Sequence, residues 1–305
     1  MKKTFRNLLL LALAVLVLML ALACGSLGSS IPPTTTLTYP GALNYVLATN
    51  ILEVGEQRVS FLLSTPNGIL KTSSAMVTPV YLEGDGSTVS TIEAQFNLWP
   101  YGIRGSYTTY ANFDRPGLWR LDVLVDNPDG EDEIQIDLKV LDESPVASVA
   151  SKALLSETKT LSSYEEIEQI TTDYSPDPDL YRLSIDEAVQ NGRPSVIVFA
   201  SPAFSTSPTC GPQVDTLTSL KEKHPGLADY IHVEIYDNPA EIQGNLDQAE
   251  IFSVVDDWGL TSIEDYLNES WTFVVGADGN IYDRFEGFAT VEELETALMK
   301  VIPDT

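Results

Sequence analysis

The sequence predicts two folded domains, an all-β sandwich followed by an α/β domain, carried behind an export leader. Three observations make that prediction. From about residue 39 to residue 141, short apolar-polar alternations are separated by Gly, Pro, Asn or Asp, the pattern of antiparallel strands. From residue 180 to the C-terminus the rhythm changes to apolar strands alternating with helices that carry capping residues. At the start, Lys2, Lys3 and Arg6 precede an apolar run from Leu8 to Ala23, too short for a membrane span and suited to a secretory signal.

The leader, residues 1–23, ends in Ala21-Leu22-Ala23-Cys24-Gly25-Ser26. This resembles a bacterial lipobox, in which the cysteine after the cut is lipidated, although leucine is more usual at the position of Ala21. The resemblance implies lipidation at Cys24 and a protein anchored to the outer face of the cytoplasmic membrane, at the cell surface or in the periplasm. An ordinary signal peptide with a chance cysteine, or an uncleaved anchor, is the plainer alternative. Residues 24–38, rich in Gly, Ser, Pro and Thr, read as a flexible tether.

The chain of 305 residues carries 17 Lys+Arg and 44 Asp+Glu. Cleavage before Cys24 removes Lys2, Lys3 and Arg6, leaving 14 basic residues against 44 acidic ones, a net charge of −30. Such a surface argues against nucleic acid and against electrostatic docking on anionic lipid. It fits a self-repelling soluble body held near a membrane by acyl chains. A high-salt habitat produces the same composition. The two cysteines are Cys24 and Cys210, so a chain lipidated at Cys24 has no internal disulfide to form.

Within residues 39–141 the predicted strands are Arg58–Leu63, Ala75–Thr78 with Val80–Leu82, Thr91–Phe96, Gly105–Tyr110, Leu118–Val125 and Ile134–Val140. Phe113-Asp114-Arg115-Pro116-Gly117-Leu118-Trp119 resembles the strand-turn-strand ending of immunoglobulin-like modules in exported bacterial proteins, which implies a fold and no function. Asp126 to Glu133 invites a calcium reading. Counting back from Gly130, however, puts Val125 where the first ligand belongs and Ile136 where the distal Glu belongs, so an acidic hairpin turn is the better reading.

Residues 142–179, rich in Ser, Thr, Glu and Pro, read as an interdomain linker that wraps one domain, with room for a short helix between Ser156 and Ile170. In residues 180–305, Ser184 and Glu187 form a capping-box pair opening a helix through Gln190. A strand Ser195–Ala200 follows, then a loop, a helix behind Cys210, a strand Tyr230–Tyr236 and a helix Leu246–Trp258. Trp271–Val275 and Ile281–Phe285 pair as a hairpin across Ala277-Asp278-Gly279-Asn280, and Thr290 with Glu293 caps a final helix to about Val301.

That β-α-β-α-β-β-α order, with a cysteine behind the first strand, resembles the thioredoxin fold. Cys210-Gly211-Pro212 matches the first three residues of the family's Cys-Gly-Pro-Cys signature, Trp258-Gly259-Leu260 resembles its aromatic-Gly-Ile segment, and Asp278-Gly279-Asn280-Ile281 its hairpin. The resemblance implies a thiol at Cys210 that works in redox or mixed-disulfide chemistry, with Gly211 and Pro212 as motif context. Its position where strand gives way to helix favours the thiolate.

The sequence departs from the family at four points. Gln213 stands for the resolving cysteine, Val198 for a buried carboxylate, and Ser270 or Trp271 for the active-site proline; the loop Ser201–Thr209 is also longer. Ser205 is a candidate for a lost cysteine facing Cys210. A peroxiredoxin reading finds Ser207 three residues before Cys210, but Ala203 where the family places a proline. A copper-chaperone reading has one thiol and only His224 or His232 to work with.

Two functions of different class remain open at this point. One is a membrane-anchored, extracytoplasmic thioredoxin-like lipoprotein whose Cys210 does monothiol chemistry on a thiol-containing client protein. The other is a non-catalytic protein-binding module on the same scaffold, with peroxiredoxin-like peroxidase activity as a minor alternative. No cofactor is implied, and no hydrolase set, phosphate loop or zinc spacing is present.

Overall fold

The computed structural model describes residues 43–84, 88–100, 102, 104–127, 130–205, 207–263 and 269–302, all within one compact unit. The leader, Cys24 and the tether lie outside the described residues. No helix among the described residues is long and apolar enough to cross a membrane.

The first part is all β. Its strands are β1 (Asn44–Leu47), β2 (Leu52–Glu53), β3 (Gly55–Thr65), β4 (Gly68–Ile69), β5 (Ser74–Tyr81), β6 (Ile92–Leu98), β7 (Gly105–Phe113), β8 (Gly117–Asn127) and β9 (Gly130–Leu141). The expected sandwich of two sheets is realised differently. Every strand lies on one hydrogen-bonded path, β1-β3-β7-β6-β5-β8-β9-β2, with β4 on β3. The sheet curls, because one face of nearly every strand feeds a single apolar cluster that includes Phe61, Val77, Ala94, Tyr107, Trp119 and Ile136. Period-two alternation puts those side chains on one face, and burying that face against itself drives the curl.

Pro79, which divides the predicted segments Ala75–Thr78 and Val80–Leu82, sits inside β5. Its carbonyl accepts from Val89 N at 2.9 Å, so its missing N–H points to the side where pairing with β6 has ended at Val77↔Ile92. At the turn between β7 and β8, Gly117 has φ +131, and a Cβ there would meet Glu83 Oε2 at 2.8 Å. Trp119 then donates its indole N–H to Arg115 O at 3.2 Å and packs edge-on against Phe113. The acidic segment after Val125 is a hairpin, with Asn127 paired to Gly130.

The second part is a four-stranded sheet in the order β11-β10-β12-β13, from β10 (Ser195–Ala200), β11 (Asp229–Glu234), β12 (Trp271–Val275) and β13 (Ile281–Glu286). β10 runs parallel to β11 and antiparallel to β12. All six residues of β10 are buried. Val196, Val198 and Ala200 face one cluster with α2 (Cys210–Lys223) and α5 (Val291–Val301), while Ile197 and Phe199 face another with α1 (Ile185–Gln190) and α4 (Ser253–Asp257). The capping boxes at Ser184/Glu187 and Thr290/Glu293 form as the sequence predicts.

Two predicted helices are corrected. Between Ser156 and Ile170 only a 3-10 turn, Ile167–Gln169, is helical. Ser156, Thr158 and Thr160 are each buried at period two, which is the geometry of extended chain. The helix expected over Leu246–Trp258 is a 3-10 turn (Leu246–Gln248) and the short α4, after the small α3 (Pro239–Ile242). Ile251 bridges Tyr236, and Phe252 N donates to Ile235 O at 2.9 Å, so strand-like pairing interrupts the helix.

Residues 142–179 form a strap that wraps the second part. Val146 and Ala153 enter one of its cores and Ile170 the other. Gly259 is where the strap passes closest. It has φ +78, and a Cβ there would lie 1.8 Å from Pro145 O, so only glycine fits.

Candidate functional site

The chain leaves the buried centre of the sheet at Ser201 and enters α2 at Cys210, with Thr209 as N-cap residue. Cys210 therefore holds the first helical position, where the macrodipole favours an anion. Its surroundings oppose that. The residue is fully buried in the cluster of Val196, Val198, Val214 and Leu217. The Ser205 hydroxyl and the Ser201 backbone hydrogen-bond the sulfur, yet burial outweighs both and pushes the thiol up to about 12, with Glu269 and Glu234 acting in the same direction. Burial thus works against the thiolate that the helix end favours, because it penalises the charged form. Ser205 does face Cys210, as a hydroxyl partner of the thiol.

The motif neighbours are structural. Gly211 has no close neighbour that demands glycine, its nearest contact for a Cβ being Pro202 O at 3.8 Å. Pro212 sits in the first turn, where its missing N–H costs no helical bond, and its carbonyl accepts from Thr216 Oγ1 at 2.8 Å. Gln213 fills the place of a second cysteine completely buried. Its Oε1 accepts from Ala289 N at 2.8 Å, pinning α2 to the turn before α5.

Ser207, the residue of the peroxidase reading, is engaged by Glu269 and Thr209. It donates to Glu269 Oε1 at 2.6 Å and lies 2.9 Å from Thr209 Oγ1. Thr209 also donates to Glu269 and accepts from Ser270 Oγ at 3.0 Å. Ser270 is fully buried, and the described residues contain no cis peptide bond.

Sequence reasoning missed Glu234. It ends β11 beside the C-terminal end of β10 and is almost wholly buried. Thr172 N and Oγ1 donate to it at 2.8 and 2.7 Å, and the amides of Ile235 and Tyr236 at 3.0 and 3.4 Å. Burial raises its pKa to about 7, and the donors oppose the rise. The signal was a lone acid in the apolar run Tyr230–Tyr236. The group fastens the strap to the sheet.

His232 is buried. Burial lowers it to about 4, Nδ1 lies 2.7 Å from the Tyr181 hydroxyl, and Nε2 lies 3.1 Å from Ala200 O. His224 lies 2.6 Å from Glu295 at the end of α2. Neither joins Cys210, and no group of His, Cys, Asp or Glu among the described residues is arranged to hold a metal ion.

No family model matches the chain, and no curated protein matches it. Among solved structures it overlaps the solution structure of the PKD domain from the human VPS10 domain-containing receptor SorCS2. The identity is 21%, over 34% of this chain and 76% of that one, at a TM-score of 0.21. So loose an overlap assigns neither fold nor function.

Proposed function

We propose that this protein is an exported, lipid-anchored binding module in which an immunoglobulin-like β domain and a degenerate thioredoxin-like domain present surfaces to a protein partner, without thiol catalysis. The observation that carries the reading is the enclosure of Cys210, fully buried, bonded to Ser205 and with its pKa raised to about 12. A monothiol catalyst needs an exposed sulfur that ionises near neutral pH, because the thiolate is the nucleophile. The β-α-β-α-β-β-α succession, the hairpin before the last helix and the cysteine at the start of α2 support the thioredoxin-like part of the reading. The curled all-β sheet supports the other part. Gln213 removes the second thiol that turnover by internal disulfide exchange requires.

Alkylation of Cys210 in the folded protein tests it. The expected result is no labelling between pH 6 and 9 until denaturant unfolds the chain. Rapid labelling of the native protein near neutral pH would restore the monothiol reading. The anchor is tested separately: palmitate incorporation and recovery in the membrane fraction should both be lost in Cys24→Ala.

A further inference from the structure

The sequence contains two Asn-Gly pairs, Asn67-Gly68 and Asn191-Gly192. In such a pair the glycine nitrogen can attack the asparagine side-chain carbonyl, because glycine has no Cβ to hinder the approach and turns freely into it. Both pairs lie on the surface, and at neither glycine would a Cβ meet anything within 4 Å. Burial and crowding therefore do not separate them. The hydrogen bonds of the two asparagine side chains do.

Asn191 ends α1, and its side-chain amide is held from both sides. Nδ2 donates to Asp229 Oδ2 at 2.7 Å, and Oδ1 accepts from Arg193 N at 2.9 Å. Asp229 is in turn held by Arg193 Nε at 3.3 Å. To react, Asn191 must turn its carbonyl carbon onto the Gly192 nitrogen, out of the pose that those bonds fix. Asn67 sits at the tip of the hairpin between β3 and β4, in the exposed run Pro66-Asn67-Gly68. Its backbone N–H donates to Thr65 Oγ1 at 3.2 Å, whereas its side chain makes no hydrogen bond among the described residues. The strand that holds Gly68 is weak as well: β4 is two residues long and pairs with the last two residues of β3.

We propose that Asn67 is a site of spontaneous deamidation in the folded protein, and that the two hydrogen bonds of Asn191 protect the other pair. The Gly68 nitrogen gives its proton to solvent and bonds to Asn67 Cγ, closing a cyclic imide. The Cγ–Nδ2 bond breaks, and Nδ2 takes a proton from solvent and leaves as ammonia. Water then adds to either imide carbonyl, and the ring opens to an aspartyl or an isoaspartyl linkage at position 67. Nothing is oxidised or reduced. Either product adds one carboxylate, and the isoaspartyl form lengthens the turn by a methylene. The disturbance should stop at Leu70, which is buried in the β core and donates from N to Leu63 O at 2.9 Å. Each hydrogen bond of Asn191 is worth a factor of about five, so the pair should slow its reaction about tenfold or more.

Peptide mapping by mass spectrometry tests this on the full mature chain after incubation in mildly alkaline buffer, with an unincubated sample digested alongside. The tryptic peptide Val59–Lys71 should gain about one dalton and separate into aspartyl and isoaspartyl forms of equal mass. The peptide carrying Asn191 should convert about tenfold more slowly or less. In guanidinium chloride, where neither side chain keeps its partners, the two sites should convert at similar rates. An intact Asn67 in the folded protein, or equal rates at the two sites before unfolding, overturns the proposal. So does a lag at Asn191 that persists in the unfolded chain, because the hydrogen bonds would then not be its cause. Conversion of Asn67 to the aspartyl form alone would mean direct hydrolysis and would overturn the imide route.

Discussion

At the start of α2 the chain buries a thiol among hydroxyls, whereas at the junction of the β part with the α/β part it buries two guanidinium groups, those of Arg58 and Arg284, against carboxylates. The first arrangement is made mostly of residues close in sequence, Ser201 to Gln213, joined by Glu269 and Ser270. The second joins residues far apart in the chain, Arg58 with Glu293 and Asn50 with Glu286. The energetics differ as well. A buried thiol avoids the cost of burial by staying neutral, so little is lost if a partner goes. A buried guanidinium stays charged at any accessible pH, so its partners must be present. The difference teaches that the conspicuous motif and the vulnerable site of this molecule are different places.

The largest effect should therefore come from the junction. Arg58→Met keeps much of the side-chain volume and leaves the half-buried Glu293 without its cation. Breaking one side of a buried pair costs about 3–5 kcal/mol, read as a drop in the urea midpoint. A loss below about 1 kcal/mol, the scale of an exposed pair, would put the junction in the same class as surface ion pairs and erase the contrast.

Much of the α2 region was legible because its signals are local: an apolar run before it, a proline in the first turn, capping residues at fixed offsets on α1 and α5. What was not legible was the surroundings of the thiol. The helix end favours an anion at Cys210, but only the packed structure shows Val196, Val198, Val214 and Leu217 closing over it. The junction gave almost no warning. Arg58 opens the predicted strand Arg58–Leu63 with nothing to mark it as a partner for a distant acid, and Glu286 follows an ordinary hairpin strand. Their pairing is set by how the two parts meet, which one-dimensional periodicity does not encode. Similarly, Ser156 to Thr160 has no strand signal, and its burial depends on the sheet it lies against.

Glu234→Gln probes a middle case, a buried acid surrounded by neutral donors. The amide cannot accept from Thr172, Ile235 and Tyr236 on both sides, so about 1–3 kcal/mol should be lost. Glu234 is raised to about 7 from an ordinary 4.5, so its contribution is full below 4.5 and disappears as pH rises through 7. His232 acts oppositely. Lowered to about 4, it contributes above its ordinary 6.5 and that contribution is lost as pH falls toward 4. Wild type should accordingly lose stability from pH 6.5 to pH 8, and Glu234→Gln should lose less. Equal slopes in urea titrations of the two proteins would remove Glu234 as the source.

Gln213→Cys sharpens the comparison from the α2 side. It places a second thiol one turn from Cys210, as a dithiol scaffold requires. The Ala289 amide loses its acceptor, at about 1 kcal/mol. Refolding with oxidised glutathione, which takes up the two electrons and two protons, should give an internal disulfide, seen as a mass loss of about two hydrogen atoms and as resistance to alkylation. Two freely alkylated thiols after oxidative refolding would count against a thioredoxin-like start of α2.

Cys210→Ala should have the smallest effect of the series, and it is the one that separates scaffold from catalyst. The change removes one sulfur from a packed core, leaves the helix start intact, and deprives the Ser205 hydroxyl of a weak partner. The expected cost is about 1 kcal/mol, typical of point substitutions. Partner capture by the mature protein should be unchanged, because a sulfur with no exposed surface contributes nothing to a docking face. Should the substitution abolish partner capture while the urea midpoint stays within that range, the thiol must reach the surface in solution. The contrast between a sealed thiol and a charged junction would then fail at its first term.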